Sequence, residues 1–530
     1  MEHLPTPDQE RIINYDGNSV VIAKPGTGKT LTLSCKVRNI LANLPYYKGV
    51  IAISYTNKAS DELEQRSLST GIERKNSFFG TMDKFFLAEI IIPFGERVLG
   101  CPTRELSVIK FGELDANKFG SFDSKKEDSE NIEFFVAVFE SGWIVLEKIG
   151  FLALYILENS IACQRYLKAR FSHIIVDEYQ DCGYWQHQLF SRLVNLGIIG
   201  IAVGDIDQSI FVFAGKSSEY LLILATLSSQ YKTFSLIENH RCHPSIVNYS
   251  ARLLAENYEL QIADEIMVHS KNVDGSEIEI AQWLSEFIPI IAKQFDVKDF
   301  SRVGILFKNA ATGDIVHQHL TLPHKRFANT PLDEGFSLWG SIFRKILIWA
   351  YSADITKYEL VENYLNSEFQ AKAIQSTMSL LKDLENHVAK GENLLDKVDL
   401  FVKIAEIIFP SAQNRDAIHN LVSVLSSPVF LSSFIPAKQD EVQLLTLHKS
   451  KGLEFDIVFH MNLYRWILPQ LNGNYHQDLN LHYVGITRAR KCCVLCSSSY
   501  RHRGANEILK AEPSEFLGMN GLEKLRITIP

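Results

Sequence analysis

The stretch SVVIAKPGTGKTLTLSCKVRNILANL, residues 19–44, constrains the fold more than any other. A short β-branched run (19–23) enters a glycine-rich loop, and the loop opens into a segment whose apolar residues recur at helical spacing. A phosphate-gripping loop takes the form Gly-x-x-x-x-Gly-Lys-Ser/Thr. Here Ala23 stands at the first glycine, and Lys24, Pro25, Gly26, Thr27, Gly28, Lys29 and Thr30 complete the pattern. In a strand–loop–helix setting the loop N–H groups and the helix N-terminus face phosphate oxygens, Lys29 reaches the outer phosphates, and Thr30 can ligate Mg²⁺. The competing reading is a glycine turn that merely caps a helix, and Ala23 leaves it open until the rest of the chain is read.

Two further apolar runs end in acids. HIIVDEYQD (173–181) drives Asp177 and Glu178 to the C-terminal end of a buried strand, the edge where ligands collect in parallel α/β sheets. One carboxylate can hold a metal while its neighbour polarises a water for attack on a γ-phosphate. GIIGIAVGDIDQSIFVF (197–213) ends in Asp205, Asp207 and Gln208, where a sensor of the γ-phosphate is expected. A bare Asp-Glu after a strand is commonly a solvated strand end; beside a phosphate loop it points to nucleotide hydrolysis.

At 530 residues the chain has material for three or four domains at ~100–200 residues each. Its net charge of −8 gives no global basic field, so contact with a nucleic-acid backbone must occur in a local groove. The eight cysteines are scattered in a chain too large to need disulfides, which fits a reducing cytosol. Cys493-x-x-Cys496 has metal-ligand spacing, but KCCVLC also reads as an apolar strand and no second pair lies near it. MEHLPTPDQ is no signal peptide, and no apolar run reaches the ~18–20 residues of a membrane span. WIVLEKIGFLALYIL (143–157) reads as core helix, and DANKFGSFDSKKEDSENIE (115–133) as a loop.

TPDQ (6–9), KPGTGKT (24–30), SYTNKASDEL (54–63), GTMDKFF (80–86), VDEYQD (176–181), GDIDQSIFVFAG (204–215), ENHRCHPSIV (238–247), LLTLHKSKGLEFD (444–456) and YVGITRAR (483–490) resemble, in order, the motifs of UvrD/Rep/PcrA-type superfamily 1 DNA helicases. That family accepts Ala or Gly at the first loop position. The resemblance therefore resolves Ala23 in favour of the phosphate loop.

It implies an α/β architecture of two RecA-like P-loop cores, parallel sheets flanked by helices, with ATP between them and a mainly helical accessory insertion in each. Placed on the motifs, the first core runs over 1–86 and 166–234 with its insertion at 87–165. The second core runs over 235–340 and 439–530, around a reduced insertion at 341–438. The implied roles follow motif by motif. Gln9 reads the adenine edge; Lys29, Thr30, Asp177 and Glu178 grip phosphates, Mg²⁺ and water; Gln208 couples the site; Glu454 contacts the ribose. Arg241 and Arg488 reach from the second core to the γ-phosphate as arginine fingers. Single-stranded DNA crosses both cores, with Tyr55, Phe211 and Phe213 as stacking platforms and Thr56, Asn57, Thr446 and His448 on its backbone. Core packing is the rival reading for each aromatic.

Four positions depart from the family pattern. Ala214 replaces an arginine, Asp83 a histidine, Leu31 an arginine and His240 a tyrosine. The last two normally sandwich the adenine, so base selectivity is expected to be loose, with other NTPs or dNTPs accepted beside ATP. The short length and the stretches GTMDKFFLAEIIIPF and NHRCHPSIVNYS are similar to the short UvrD-like helicase subunits of Gabija-type anti-phage systems, which implies an ATPase–TOPRIM nuclease partner in a cytoplasmic hetero-oligomer. Three functions follow: a DNA-stimulated NTP hydrolase and 3′→5′ translocase in a defence complex, a stand-alone repair or replication helicase, and a non-motor DNA-binding scaffold. The presence of every hydrolytic residue weighs against the scaffold.

Overall fold

A computed structural model describes residues 4–530 except 56, 69–70, 105, 116–117, 120–121, 211–216, 335–336, 353–355, 363, 366–369, 411–412 and 504–506. Of the residues expected to contact DNA, Thr56, Phe211, Phe213 and the side chain of Asn57 lie outside the described set, as does Ala214.

Two parallel sheets carry the chain. The first contains β1 (Ser19–Ala23), β2 (Gly49–Ile53), β3 (Phe78–Gly80), β4 (Phe171–Val176), β5 (Ile199–Gly204) and β6 (Lys232–Leu236), in the order 3-2-4-5-1-6. Ser19 pairs with Ile201 on one side of β1 and with Lys232 on the other. The second contains β7 (Val268–Val273), β8 (Val303–Phe307), β9 (His324–Arg326), β10 (Val442–Thr446), β11 (Phe455–His460), β12 (Ala489–Ser498) and β13 (Ile527–Thr528), in the order 9-10-8-11-12-7-13. Because successive strand residues face opposite ways, each sheet feeds two cores. Val20, Ile51, Ile53, Ile174 and Val176 pack on one face of the first sheet, and Val21, Val50, Ala52 and Ile175 on the other.

The same alternation disposes of the cysteine pair. Cys493 and Cys496 are three apart on β12, so their thiols leave opposite faces: Cys492 and Cys496 pack with Ile305 and Phe459, whereas Cys493 packs with Leu306 and Val458. A chelate from Cys493 and Cys496 is sterically excluded, and KCCVLC is the buried strand its composition indicates.

The expected core helix is shorter than its apolar run. Trp143–Val145 is a strand pairing with Ser107–Ile109, and the helix starts at Ile149. Within 115–133 the described residues form turns and a short 3-10 helix, Asp128–Asn131, before the helix Ile132–Glu140 begins. β6 closes the first sheet and runs to Leu236, two residues beyond 234.

The two insertions differ in how they are held. The first continues the core under the first sheet, with Phe135, Phe139 and Phe151 joined to Phe85 and Phe171. The second has a core of its own, built from Trp339, Phe343, Phe401 and Leu421 on helices that include Leu338–Tyr351, Val398–Ile408 and Arg415–Ser426. It meets the first lobe through buried charge. Arg344 pairs with Asp61 and Lys345 with Glu64 across that contact, while Asp333, on the neighbouring turn Pro331–Glu334, stands 3.3 Å from Arg344 on its own side. No described helix is long and apolar enough to cross a membrane.

Candidate nucleotide site and the adjoining cleft

The phosphate loop leaves the C-terminal end of β1 and turns into the helix Lys29–Asn43. Gly26 and Gly28 hold φ of +71° and +77°, a left-handed region that glycine enters without the strain a side chain meets. A Cβ on Gly28 would stand 2.5 Å from Gln9 Nε2. Gln9 is buried; its Nε2 donates to the Thr27 carbonyl (2.9 Å), and its Oε1 accepts from Thr6 N–H (2.9 Å). Each amide atom keeps one further hydrogen-bonding position for a base edge. Thr27 Oγ1 donates to Lys24 O (2.8 Å), and the Lys24 ammonium pairs with Asp207. Among the described residues Lys29 makes no side-chain hydrogen bond or ion pair, although its charge acts on Asp177, Glu178 and Asp205.

Asp177 and Glu178 follow β4. Asp177 N–H donates to Ile53 O (2.8 Å), which fixes the strand end, and Glu178 sits at φ +56° with its N–H on Asp177 Oδ1 (2.9 Å). A non-glycine residue in that region is a strained position of the kind that collects at functional sites. Burial and the adjacent Glu178 push the Asp177 carboxyl up. Burial also penalises Glu178, but Lys29, Lys451, a hydrogen bond from Gln180 and Arg488 hold it below the ordinary glutamate range. One acid is thus kept as a carboxylate, while its neighbour, for which Lys29 and Lys451 do not offset burial and Glu178, holds its proton more tightly. Asp205, pushed up to about 6 chiefly by burial, accepts from Gln208 Nε2 (2.9 Å).

The second lobe completes this edge with the N-terminal ends of β11 and β12. Arg488, buried, precedes β12; its guanidinium donates to Val484 O (3.1 Å), Leu453 O (3.3 Å) and Gln208 Oε1 (3.5 Å). Burial and the like charge of Arg241 lower its pKa to about 10. Arg241 pairs with Glu454, which also lies 3.7 Å from Arg490, and Arg241 Nε is buried with no hydrogen-bond partner among the described residues. Two mutually repelling guanidiniums, one with an unused donor, suit a polyanion between them. Arg241 lies in the connector between β6 and the helix Pro244–Leu254 rather than on the second sheet.

Several residues of this edge went unread in the sequence. Lys451 crosses the lobe boundary to pair with Asp181, to approach Glu178 Oε2 at 3.5 Å, and to donate to Gln208 O (2.9 Å). Gln180 links two segments: its amide donates to Glu178 and accepts from Asp205 N–H (3.0 Å). Asn480 and Gln477 donate to the carbonyls of Ser209 (3.0 Å) and Ile210 (2.8 Å). Lys451, Asp181 and Gln180 sit inside quoted motifs, so the available signal was a charged or amide residue beside an assigned one; Asn480 and Gln477 gave none.

A cavity of 1010 Å³ adjoins the acids and brings Tyr55, Thr446 and His448 together with Asp177, Glu178 and Lys451. Thr446 Oγ1 accepts from Lys449 N–H (3.3 Å), so its hydroxyl starts the helical turn Leu447–Ser450. Asp83 accepts from Gln186 Nε2 (3.2 Å) at the same cavity. Leu31 is half-buried in the first turn after the loop, and the partly exposed His240 ring lies 4.0 Å from Glu238.

Residues 9–214 match the family model of an AAA domain, and residues 343–500 that of the UvrD-like helicase C-terminal domain. The chain is 27% identical over 520 residues to the Gabija protein GajB of Bacillus cereus, covering 95% of this chain and 98% of that protein. It is 22% identical over 651 residues to the ATP-dependent DNA helicase Rep of Escherichia coli (96% and 93% covered), and 21% over 617 residues to the ATP-dependent DNA helicase PcrA of Staphylococcus aureus (94% and 84% covered). With phosphate loop, acid pair and arginines meeting between two parallel α/β sheets, the chain belongs to the UvrD-type superfamily 1 helicase family.

Proposed function

We propose that the chain is an ATP hydrolase stimulated by single-stranded DNA and a 3′→5′ DNA translocase, working as the helicase-like subunit of a cytoplasmic anti-phage complex with a nuclease partner. The observation that carries this reading is the meeting of the phosphate loop, Asp177–Glu178, Gln208, Arg241 and Arg488 at one lobe boundary. Hydrolysis needs a water aligned on the γ-phosphorus and positive charge on the oxygens that gain it. Glu178, kept ionised, accepts a hydrogen bond from that water and orients it. Lys29, Arg241 and Arg488 balance the charge as the bond to the leaving ADP oxygen breaks. The buried, under-neutralised Asp177 carboxyl fits a divalent cation, which Asp177 and Thr30 would hold. Mg²⁺ bound there supplies charge neutralisation across the phosphates.

Arg488 and Lys451 sit on the far side of the boundary, so lobe closure and completion of the site are one event. In this reading DNA lies against Tyr55, Thr446 and His448, a choice supported by a cavity that these residues share with the acids, so that a strand in the cleft has a short route to Glu178 through Lys451. The defence setting rests on similarity to GajB along nearly the full length of both chains.

The deciding experiment measures hydrolysis of ATP, dATP and GTP with and without oligo-dT, beside unwinding of a 3′-tailed duplex by the isolated chain. We expect DNA-dependent turnover and competition among the nucleotides, since Leu31 and His240 cannot clamp a base as an arginine and a tyrosine do and such pockets discriminate by only ~1–3 kcal/mol. Lys29→Ala and Glu178→Gln should abolish turnover. Strict ATP preference with robust unwinding unaided would favour the stand-alone repair helicase.

A further inference from the structure

We propose that Asn239 is a positioning residue that ties the phosphate loop to Arg241 so that the two move as one unit; the proposal rests on the hydrolase reading above. Residues 237–243 connect β6, in the first sheet, to the helix Pro244–Leu254, whose Ile246, Tyr249 and Leu253 pack in the core of the second lobe. Every relative motion of the lobes therefore loads this segment.

The Asn239 side chain spans it. Oδ1 accepts from the N–H groups of both Arg241 and Cys242 at 2.8 Å, and Nδ2 donates to the Pro25 carbonyl at 2.8 Å. One residue on, His240 N–H donates to the Gly26 carbonyl at 2.8 Å. The fit is close: a Cβ built on Gly26 would stand 2.5 Å from Asn239 Oδ1 and 2.8 Å from Arg241 Cβ.

The chemistry of the tie is directional. An amide offers an acceptor and a donor on one rigid plane, so the bonds to Arg241 and Cys242 fix which way the donor faces. The connector engages only the Pro25 and Gly26 carbonyls of the loop, leaving the N–H groups from Gly26 to Thr30 for phosphate. A phosphate that draws in the loop thereby pulls on the backbone of Arg241, whose guanidinium must reach the same γ-phosphate. No other standard side chain of this length supplies both functions: aspartate keeps the acceptor and loses the donor, and leucine loses both.

The test uses the full-length chain with oligo-dT as activator, reading kcat, ATP affinity by a fluorescent analogue, and thermal unfolding. Asn239→Ala should lower kcat by ~10²-fold, the scale of a misplaced catalytic group, while ATP affinity changes far less. Asn239→Ala combined with Arg241→Ala should be no slower than Arg241→Ala alone, because both remove one device. Asn239→Asp should retain folding and also lose turnover, since the link to Pro25 is gone. Were Asn239→Ala to unfold, the Asp variant would decide, because it keeps both caps on the connector. Wild-type turnover in Asn239→Asp, or multiplicative losses in the double variant, would overturn the proposal. Lys29→Ala separates the two levels: if it remains active the hydrolase reading itself fails, whereas an inactive Lys29→Ala beside a fully active Asn239→Ala sinks only the tie.

Discussion

The Lys451 ammonium stands 3.5 Å from Glu178 Oε2 across the lobe boundary, while also pairing with the buried Asp181. One second-lobe cation thus serves two first-lobe carboxylates. Lys451→Ala would leave both under-compensated, and losing one partner of a buried pair costs about 3–5 kcal/mol. Chemical denaturation should show that loss. In the folded variant Lys29, Gln180 and Arg488 still act on Glu178 but it is held less low, so the acidic limb of the pH–rate profile should move to higher pH.

Arg488 should separate chemistry from binding. Its guanidinium is held by two backbone carbonyls and Gln208, and contacts to a γ-phosphate strengthen as charge develops. Arg488→Ala is expected to lower kcat by ~10³-fold or more with a much smaller change in nucleotide affinity, measured by single-turnover hydrolysis and equilibrium titration. Arg488→Lys should not rescue, because an ammonium cannot span those carbonyls and Gln208 together.

The second insertion is latched to the first lobe by Arg344–Asp61 and Lys345–Glu64, all of whose side chains are mostly withdrawn from solvent. Reversing one charge, as in Asp61→Arg, should raise amide hydrogen exchange in both Asn57–Leu68 and Leu338–Tyr351. Adding Arg344→Asp should restore much of the protection. Uniform exchange across wild type and both variants would show that the ion pairs do not hold the insertion.

His460 and His482 give the second lobe an acid-sensitive core. His482 Nδ1 and His460 Nε2 are 3.0 Å apart; burial pushes His460 down to about 4 and holds His482 well below the ordinary histidine value. An unfolded histidine titrates near ~6.5, so below that the unfolded chain takes up protons the folded chain refuses. Their contribution is full above pH ~6.5 and is lost as pH falls towards 4, by ~1.4 kcal/mol per pH unit for each ring. His482→Phe, which can still stack on Phe516, should halve that part of the slope in denaturation measured from pH 7 to 4.5.

What the sequence made legible was local. Lys29, Asp177 and Glu178 could be read because a phosphate loop and a strand-end acid pair are each written in fewer than ten consecutive residues. Lys451 and Asn239 were quoted within motifs yet given no task, because their partners lie 270 and 214 residues away and only the lobe boundary brings them together. Trp143–Val145 misread as helix for a related reason: an apolar run carries no period of its own, and pairing with Ser107–Ile109 decides it. Thr446, assigned to DNA, also caps the turn after β10: its hydroxyl accepts from Lys449 N–H and keeps its own proton to donate, a second role that only the turn makes visible.

The second insertion departs after β9 and returns at β10, two neighbouring parallel strands in which His324 faces Val442 and Arg326 faces Leu444. Entry and exit therefore lie within two residues of register, and the insertion stands on a narrow stem at the rim of its sheet. Such an attachment makes it a graft: helices can be added to it or pruned from it without shifting any strand beneath. Whatever sets the size of this module in one lineage or another, the engine that carries it has no need to be rebuilt.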